Sequence, residues 1–267
     1  MTVEIDLTGK TALVTGGTRN IGRAIAILLS QAGATVSVIG STSQERLDET
    51  LGAIDEQDGH AGVGLLADCG DADELRGALG EIVDKAGPID ILVNNVGIRP
   101  RTELEDVTIE EWDRVIAVNL RAAFICSQFT IPGMRERGWG RIINISGLDA
   151  LAGSGGRGHV TSSKGGLYGL TASLAPDCAR FGVTVNTLTP GTIDTFRHSP
   201  DWYPETERLF DKLKRKVPMH RLGHEGEIAS VALFLASDLS SYMTGQNFTV
   251  AGGFPMWPSI KQELADE

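Results

Sequence analysis

Residues 15–22 read TGGTRNIG. They lie where a short apolar, β-branched run (11–15) gives way to apolar residues at helical spacing: Ile21, Ala24, Ile25, Leu28 and Leu29. A strand, a glycine turn and a helix start in that order suit a pyrophosphate. Glycine lets the backbone approach the phosphates, and the first amides of a helix have no intrahelical acceptor and point at the anion. The spacing is not GxGxxG, and Asn20 interrupts the glycines. Asn tolerates left-handed backbone and is a good N-cap, so the turn is expected to survive. Other chemistry-bearing types are sparser. His220 and His224 are four apart like metal ligands, but Gly223 intervenes and no third ligand follows, so no metal site is expected. Ser146 or Ser154 with His159 and Asp149 has the types for nucleophilic hydrolysis but no nucleophile elbow.

The elements that must position these groups alternate. After the first strand and helix, Gly33 precedes a second strand at 35–39. Ser43 opens an acidic helix to about 57, and a third strand at 62–67 ends at Asp68. Asp71 caps a helix to about 85. A strand at 89–93 runs into Asn94-Asn95-Val96-Gly97, and Thr108-Ile-Glu-Glu111 is a capping box before a long helix through Asn119 to about 137. A fifth strand (141–145), the loop GLDALAGSGGRG, a helix through Lys164 to about 180, a sixth strand (183–188), a helix (225–236) and a closing strand (246–250) complete the pattern. Such alternation predicts an α/β fold, a Rossmann-type doubly wound parallel sheet of about seven strands with helices on both faces. With no repeat or linker, residues 1–267 read as one domain. The stretch 192–223, rich in Pro, aromatic and basic residues, reads as a substrate lid, and the tail beyond Gly253 is expected to pack on this subunit or a neighbour.

Composition excludes several partners. A net charge of −11 argues against nucleic acid and against an anionic membrane, and 41% hydrophobic residues suffice for a sizeable core. Cys69, Cys126 and Cys178 are odd in number and scattered, which suits a reduced, cytoplasmic setting. The N-terminus shows no leader-like pattern, and no apolar run is long enough to span a bilayer.

The motif TGGTRNIG resembles the TGxxxGxG signature of the short-chain dehydrogenase/reductase family. The resemblance extends over nearly the whole chain through Asp68, NNVG at 94–97, Asn119, GRIINIS, Lys164, Pro190-Gly191 and MTGQNFTVAGG. Within that family the chain looks most like 3-oxoacyl-[acyl-carrier-protein] reductases. The resemblance implies NAD(P) at the carboxyl edge of the sheet, a small-molecule substrate, and a homo-oligomer, tetramer or dimer. Implied cofactor contacts are Gly16, Thr18, Arg19, Asn20, Ile21, Gly22, Ser41, Thr42, Asp68, Cys69, Asn95, Gly97, Lys164, Pro190, Gly191, Ile193 and Thr195. Residues 40–42 read Gly-Ser-Thr, with no carboxylate to bind a ribose 2′-hydroxyl or repel a 2′-phosphate, and Arg19 is near. NADP(H) is therefore expected over NAD(H).

Family members pair Asn and Lys with a serine and a tyrosine. Asn119 and Lys164 match. The tyrosine position, four before the lysine, is Val160, and the serine position is Gly147. Losing a general acid costs about 10²–10⁴ in rate. His159, with a side chain suited to acid–base work, could substitute if the helix begins after it; Thr161 is too short, and Tyr168 lies on the far side. Arg99 and Arg101 after NNVG, and Arg157 before the lysine helix, would favour an anionic substrate, with Gly147, Asp149 and Val160 nearby. The expectation is an atypical NADP(H)-dependent oxidoreductase acting on a small carbonyl, alcohol or imine-like substrate. The alternative is the same scaffold turned to non-redox chemistry (lyase, isomerase or cyclase), to ligand binding, or to a silent subunit.

Overall fold

The computed structural model describes residues 5–56, 60–195, 212 and 214–253. Seven strands, β1 (Thr11–Thr15), β2 (Thr35–Gly40), β3 (His60–Leu66), β4 (Ile91–Asn94), β5 (Gly140–Ile145), β6 (Val183–Pro190) and β7 (Asn247–Val250), form one parallel sheet in the order β3-β2-β1-β4-β5-β6-β7. The order reverses between β1 and β4, so a crevice opens beyond their carboxyl ends, where ligands of such sheets bind. The helices are α1 (Asn20–Gln31), α2 (Gln44–Asp55), α3 (Ala72–Ala86), α4 (Ile109–Ile116), α5 (Ala122–Arg137), α6 (Asp149–Ala152), α7 (Gly158–Ala179) and α8 (Glu225–Ala236).

Because the strands are buried on both faces, their residues feed two cores. On one face Ile25 and Leu29 of α1 and Ile228, Ala232 and Leu235 of α8 pack over Val14, Val36, Val93 and Ile143. On the other, Leu75, Leu79 and Ile82 of α3, Ile125 and Met134 of α5, and Ala175 of α7 pack over Leu13, Leu92, Ile142 and Val185. The expected caps form: Ser43 Oγ accepts from the Arg46 amide at 3.3 Å, and Asp71 Oδ1 accepts from Asp73 and Glu74 at 2.9 Å each.

The structure departs from the sequence pattern in a few places. The helix expected to run unbroken through Asn119 contains a π turn, Ala117–Arg121, and the loop after β5 holds the short helix α6. β4 begins two residues later than expected because Asp90 is drawn to its neighbours: Oδ2 accepts from the Thr11 amide, and Oδ1 from Arg137. The run Ile109–Arg137 is long and apolar enough to cross a membrane by composition, but 61% of its most apolar window is buried inside the protein, as in a core helix. Of the stretch expected as a lid, 196–211 and 213 lie outside the described residues, as does the tail from 254.

Candidate active site

The glycine turn is held by side chains from across the crevice. Gly16 adopts φ +64°, and a Cβ there would meet Val96 Cα at 2.9 Å. At Gly22 a Cβ would fall 2.3 Å from the Gly16 carbonyl oxygen, so only glycine lets α1 start against the turn. Asn95 Nδ2 donates to the carbonyls of Thr15 and Gly16, both at 3.0 Å, while Thr15 Oγ1 accepts from the amides of Asn95 and Val96. Asn20 takes the left-handed conformation expected of it, φ 48°. Arg19, not Asn20, occupies the N-cap, and Asn20 Oδ1 is buried without a partner. The first turn's backbone bond runs from the Arg23 amide to the Arg19 carbonyl, so the preceding helical amides have no intrahelical acceptor. An open set of donors beside a glycine turn fits a dinucleotide pyrophosphate.

At the end of β2, Ser41 and Thr42 are exposed. Partial burial, and then the charge of Arg46, hold the Arg19 guanidinium below its usual pKa. Asp68 accepts from Arg114 at 2.8 Å and from the Gly70 amide at 2.8 Å. The Arg114 hydrogen bond is the main cause that keeps its carboxyl below the usual range. Cys69 is buried, and desolvation pushes its thiol up to about 12, which leaves it unreactive.

Across the switch point, β5, the π turn and α7 bring two more groups to Gly97. Asn119 Oδ1 accepts from the Ile98 amide at 2.8 Å, and its Nδ2 donates to the Ile98 carbonyl and to Ser163 Oγ, each at 3.0 Å. Ser163 Oγ in turn donates to the Val160 carbonyl at 2.8 Å. Lys164 is buried, and its Nζ donates to the Ile145 carbonyl at 2.7 Å. A Cβ on Gly97 would sit 3.3 Å from both Asn119 Oδ1 and Lys164 Nζ, which places these two groups around one point. Burial first, and then the charge of Arg99, lower the lysine pKa to about 7.

Positions 147 and 160 bring no hydroxyl to this point. Val160 is 1% exposed, and a Cβ on Gly147 would have no heavy atom within 4 Å. Ser146 points away, with Oγ donating to the Lys164 carbonyl at 3.0 Å. Of the described tyrosines, Tyr168 bonds Thr189 Oγ1 at 2.9 Å on the far side of α7, and Tyr242 is fully exposed; Tyr203 lies outside the described residues. α7 begins at Gly158, ahead of His159, so the condition under which that side chain would swing toward the substrate is not met. His159 is 1% exposed, and its Nε2 lies 2.9 Å from Glu111 Oε1, which also accepts from Thr102 Oγ1 at 2.7 Å; Nδ1 has no partner. The capping box is thus half made. Thr108 Oγ1 accepts from the Glu111 amide, while the Glu111 carboxylate is recruited by His159. Thr102 and Ser163 were not singled out from the sequence, nothing local in it marks them, and Glu111 was marked there only as a capping-box residue.

The three arginines diverge. Arg99 and Arg157 reach the same oxygen of Asp149, at 3.4 and 3.1 Å, whereas Arg101 donates to the Gly155 carbonyl at 3.2 Å. Beyond β6 the Gly191 amide bonds the Val250 carbonyl after Pro190. Ile193 then bridges Gly223, and the Thr195 amide bonds the Ile193 carbonyl. Here a cleft of about 290 Å³ is lined by Thr192, Ile193, Val217, Arg221, Glu227 and Gly252 among others. Among the described residues no cluster of His, Cys, Asp and Glu is arranged to hold a metal ion.

The sequence profile described as enoyl-(acyl carrier protein) reductase matches residues 16–255. The chain belongs to the short-chain dehydrogenase/reductase family. Among curated members, the 3-oxoacyl-[acyl-carrier-protein] reductase FabG of Aquifex aeolicus is 38% identical over 251 residues, covering 94% of this chain and 99% of its own length. A candidate short-chain alcohol dehydrogenase from Sinorhizobium meliloti, 35% identical, superposes with a TM-score of 0.87 over 93% of this chain and 97% of that one. A candidate NAD(P)-dependent gluconate 5-dehydrogenase from Beutenbergia cavernae, solved with NADP at low occupancy, is 34% identical, with a TM-score of 0.86 over 93% and 98% of the two chains.

Proposed function

We propose that this family member is an NADP(H)-dependent oxidoreductase of a small organic carbonyl, alcohol or imine-like substrate, working without the serine and tyrosine hydroxyls. The observation that carries the reading is the convergence of Lys164 Nζ and Asn119 Oδ1 beside Gly97, at the edge of a crevice whose other wall is the glycine turn. When bound, the nicotinamide would supply or accept the hydride. Gly16 to Gly22 would hold the pyrophosphate on open amides, and Asp68, Asn95 and Gly97 would line the adenosine side. Pro190, Gly191, Ile193 and Thr195 would line the carboxamide. Arg19, with Arg46 close enough to depress its pKa, favours a 2′-phosphate, because an anion between two guanidinium groups relieves their repulsion. One solved relative supports the choice, having been solved with NADP at low occupancy.

Lys164 would hold the nicotinamide ribose and, as the ammonium ion, present positive charge and a proton where an oxyanion develops. Asn119 would keep the π turn and the strand after Gly97 in register. Exposed Leu104, Ile109, Trp112 and Phe124 around α4 and α5 suit burial in a homo-oligomer, which light scattering would read as a dimer or tetramer. A cytoplasmic setting suits three buried, unpaired cysteines.

The test is fluorescence titration with NADPH and NADH, followed by NADPH consumption on ketones, enones and imines. Tighter NADPH binding and turnover that favours cationic or strongly polarised acceptors are expected. No binding of either nucleotide at millimolar concentration sinks the reading. Nucleotide binding without turnover of any acceptor would favour the non-redox alternative, to which the absence of hydroxyls at 147 and 160 also points.

A further inference from the structure

Three cations gather near Gly97 and the loop after β5. Arg99 follows Gly97 by two residues, its charge is felt by Lys164, and its guanidinium reaches Asp149 Oδ2 only at 3.4 Å. Arg157 shares that oxygen at 3.1 Å. Exposure separates the two arginines: the Arg157 side chain is 11% exposed and the Asp149 side chain 17%, whereas that of Arg99 is 49% exposed. Arg157 is therefore the committed partner, and it holds Asp149 as a buried anchor. Arg99 spends little on its long contact and presents the rest of its donors to the open side.

The Glu111 carboxylate is engaged elsewhere, by His159 and Thr102. With the lysine protonated, Lys164 and Arg99 are two cations near Gly97, and Asp149, which Arg99 reaches, is shared with Arg157. No heavy atom stands within 4 Å of a Cβ built at the half-buried Gly147, so space is open there. A planar guanidinium with free donors matches a carboxylate bidentately.

We propose that Arg99, backed by the Asp149–Arg157 pair, is a carboxylate subsite beside Lys164, and that the substrate is a small organic acid whose carbonyl carbon lies one or two bonds from its carboxylate. This deepens the reading of the preceding subsection and rests on it. The subsite replaces with charge what the missing hydroxyls supplied as neutral hydrogen bonds. The carboxylate on Arg99 orients the acid, and its carbonyl oxygen is left toward the lysine.

The test reads binding, not turnover. 2-Oxobutyrate and acetoacetate, each against its methyl ester, are titrated calorimetrically into the protein alone and into protein saturated with NADP. The acids are expected to bind about tenfold more tightly than the esters in at least one of the two states, as one charge-assisted contact allows. Arg99→Gln should bring acids down to the esters, Arg99→Lys should keep part of the preference, and both variants should bind NADPH like the unaltered protein, which shows that they fold. Acids and esters binding alike in both states, or an Arg99→Gln variant that keeps the preference, overturns the subsite. If NADPH binds and acids are not preferred, the subsite falls and the oxidoreductase reading stands. If acids are preferred and no nucleotide binds, the reverse holds.

Discussion

The two walls of the crevice are built in opposite ways. The β1–α1 wall is backbone held by backbone-directed side chains: Thr15 and Asn95 lock the turn from two strands, and the close approach of Gly22 to Gly16 leaves no slack. The β5–α7 wall is side-chain chemistry. It has a buried lysine with one carbonyl partner, a buried histidine with one nitrogen unsatisfied, and an open face at Gly147 where a side chain would meet nothing. The first wall is tight at Gly16 and Gly22, although its turn already carries Asn20 where the family signature has glycine. In the second, two residues differ from what the family resemblance leads one to expect, and the fold keeps its shape. A shared ligand demands constant geometry, whereas a substrate demands only compatible chemistry.

Substitutions can break or sharpen this contrast. The largest effect is expected at Lys164. Lys164→Met should lower turnover of the substrate by about 10²–10⁴, the range for loss of a general acid, in a steady-state assay. Its stability should move the other way. The folded pKa, about 7, lies below the ordinary lysine value of 10.5, so between those values the unfolded chain binds more protons and stability rises with pH. Relative to the unaltered protein, the methionine variant should gain most at pH 6 and lose that advantage toward pH 10 in thermal melts. By the same sign, a reaction that needs the ammonium form should show kcat/KM falling as pH rises through about 7.

Next comes a gain. Gly147→Ser with Val160→Tyr restores both hydroxyls to a wall with space at 147, and simple ketones should then be reduced about 10²-fold faster or more. No gain would mean that the second wall differs from its relatives in shape and not only in hydroxyls. Third, Gly22→Ala pushes a methyl into the Gly16 carbonyl. It should cost about 1–3 kcal/mol in denaturant titration and weaken NADPH binding together with stability. Smallest is Glu111→Gln, which exchanges a charged acceptor for a neutral one under His159. It should cost about 1 kcal/mol and leave NADPH affinity unchanged, since it touches only the second wall.

Much of the first wall was legible in the chain. The run from Thr11 to Gly22 announces strand, turn and helix by local types, and the caps at Ser43 and Asp71 need only residues two or three positions away. Lys164 and Asn119 were legible by resemblance, and their meeting beside Gly97 agrees with it. What was not legible joins residues far apart. His159 finds Glu111 across 48 positions, and its ring is buried against that carboxylate. The π turn at Ala117–Arg121 has no period of its own in the sequence, and it carries the asparagine that bonds both backbone groups of Ile98.

By itself, the sequence determined the alternation that makes a parallel sheet, the glycine turn at its switch point, and the absence of hydroxyls at 147 and 160, because each depends on residue type at short range. Only the tertiary structure decided which charges meet: that Asp149 anchors Arg157 and leaves Arg99 half in solvent, and that burial takes Lys164 down to about 7. Electrostatic energy depends on distance and desolvation, and neither exists until the chain has folded.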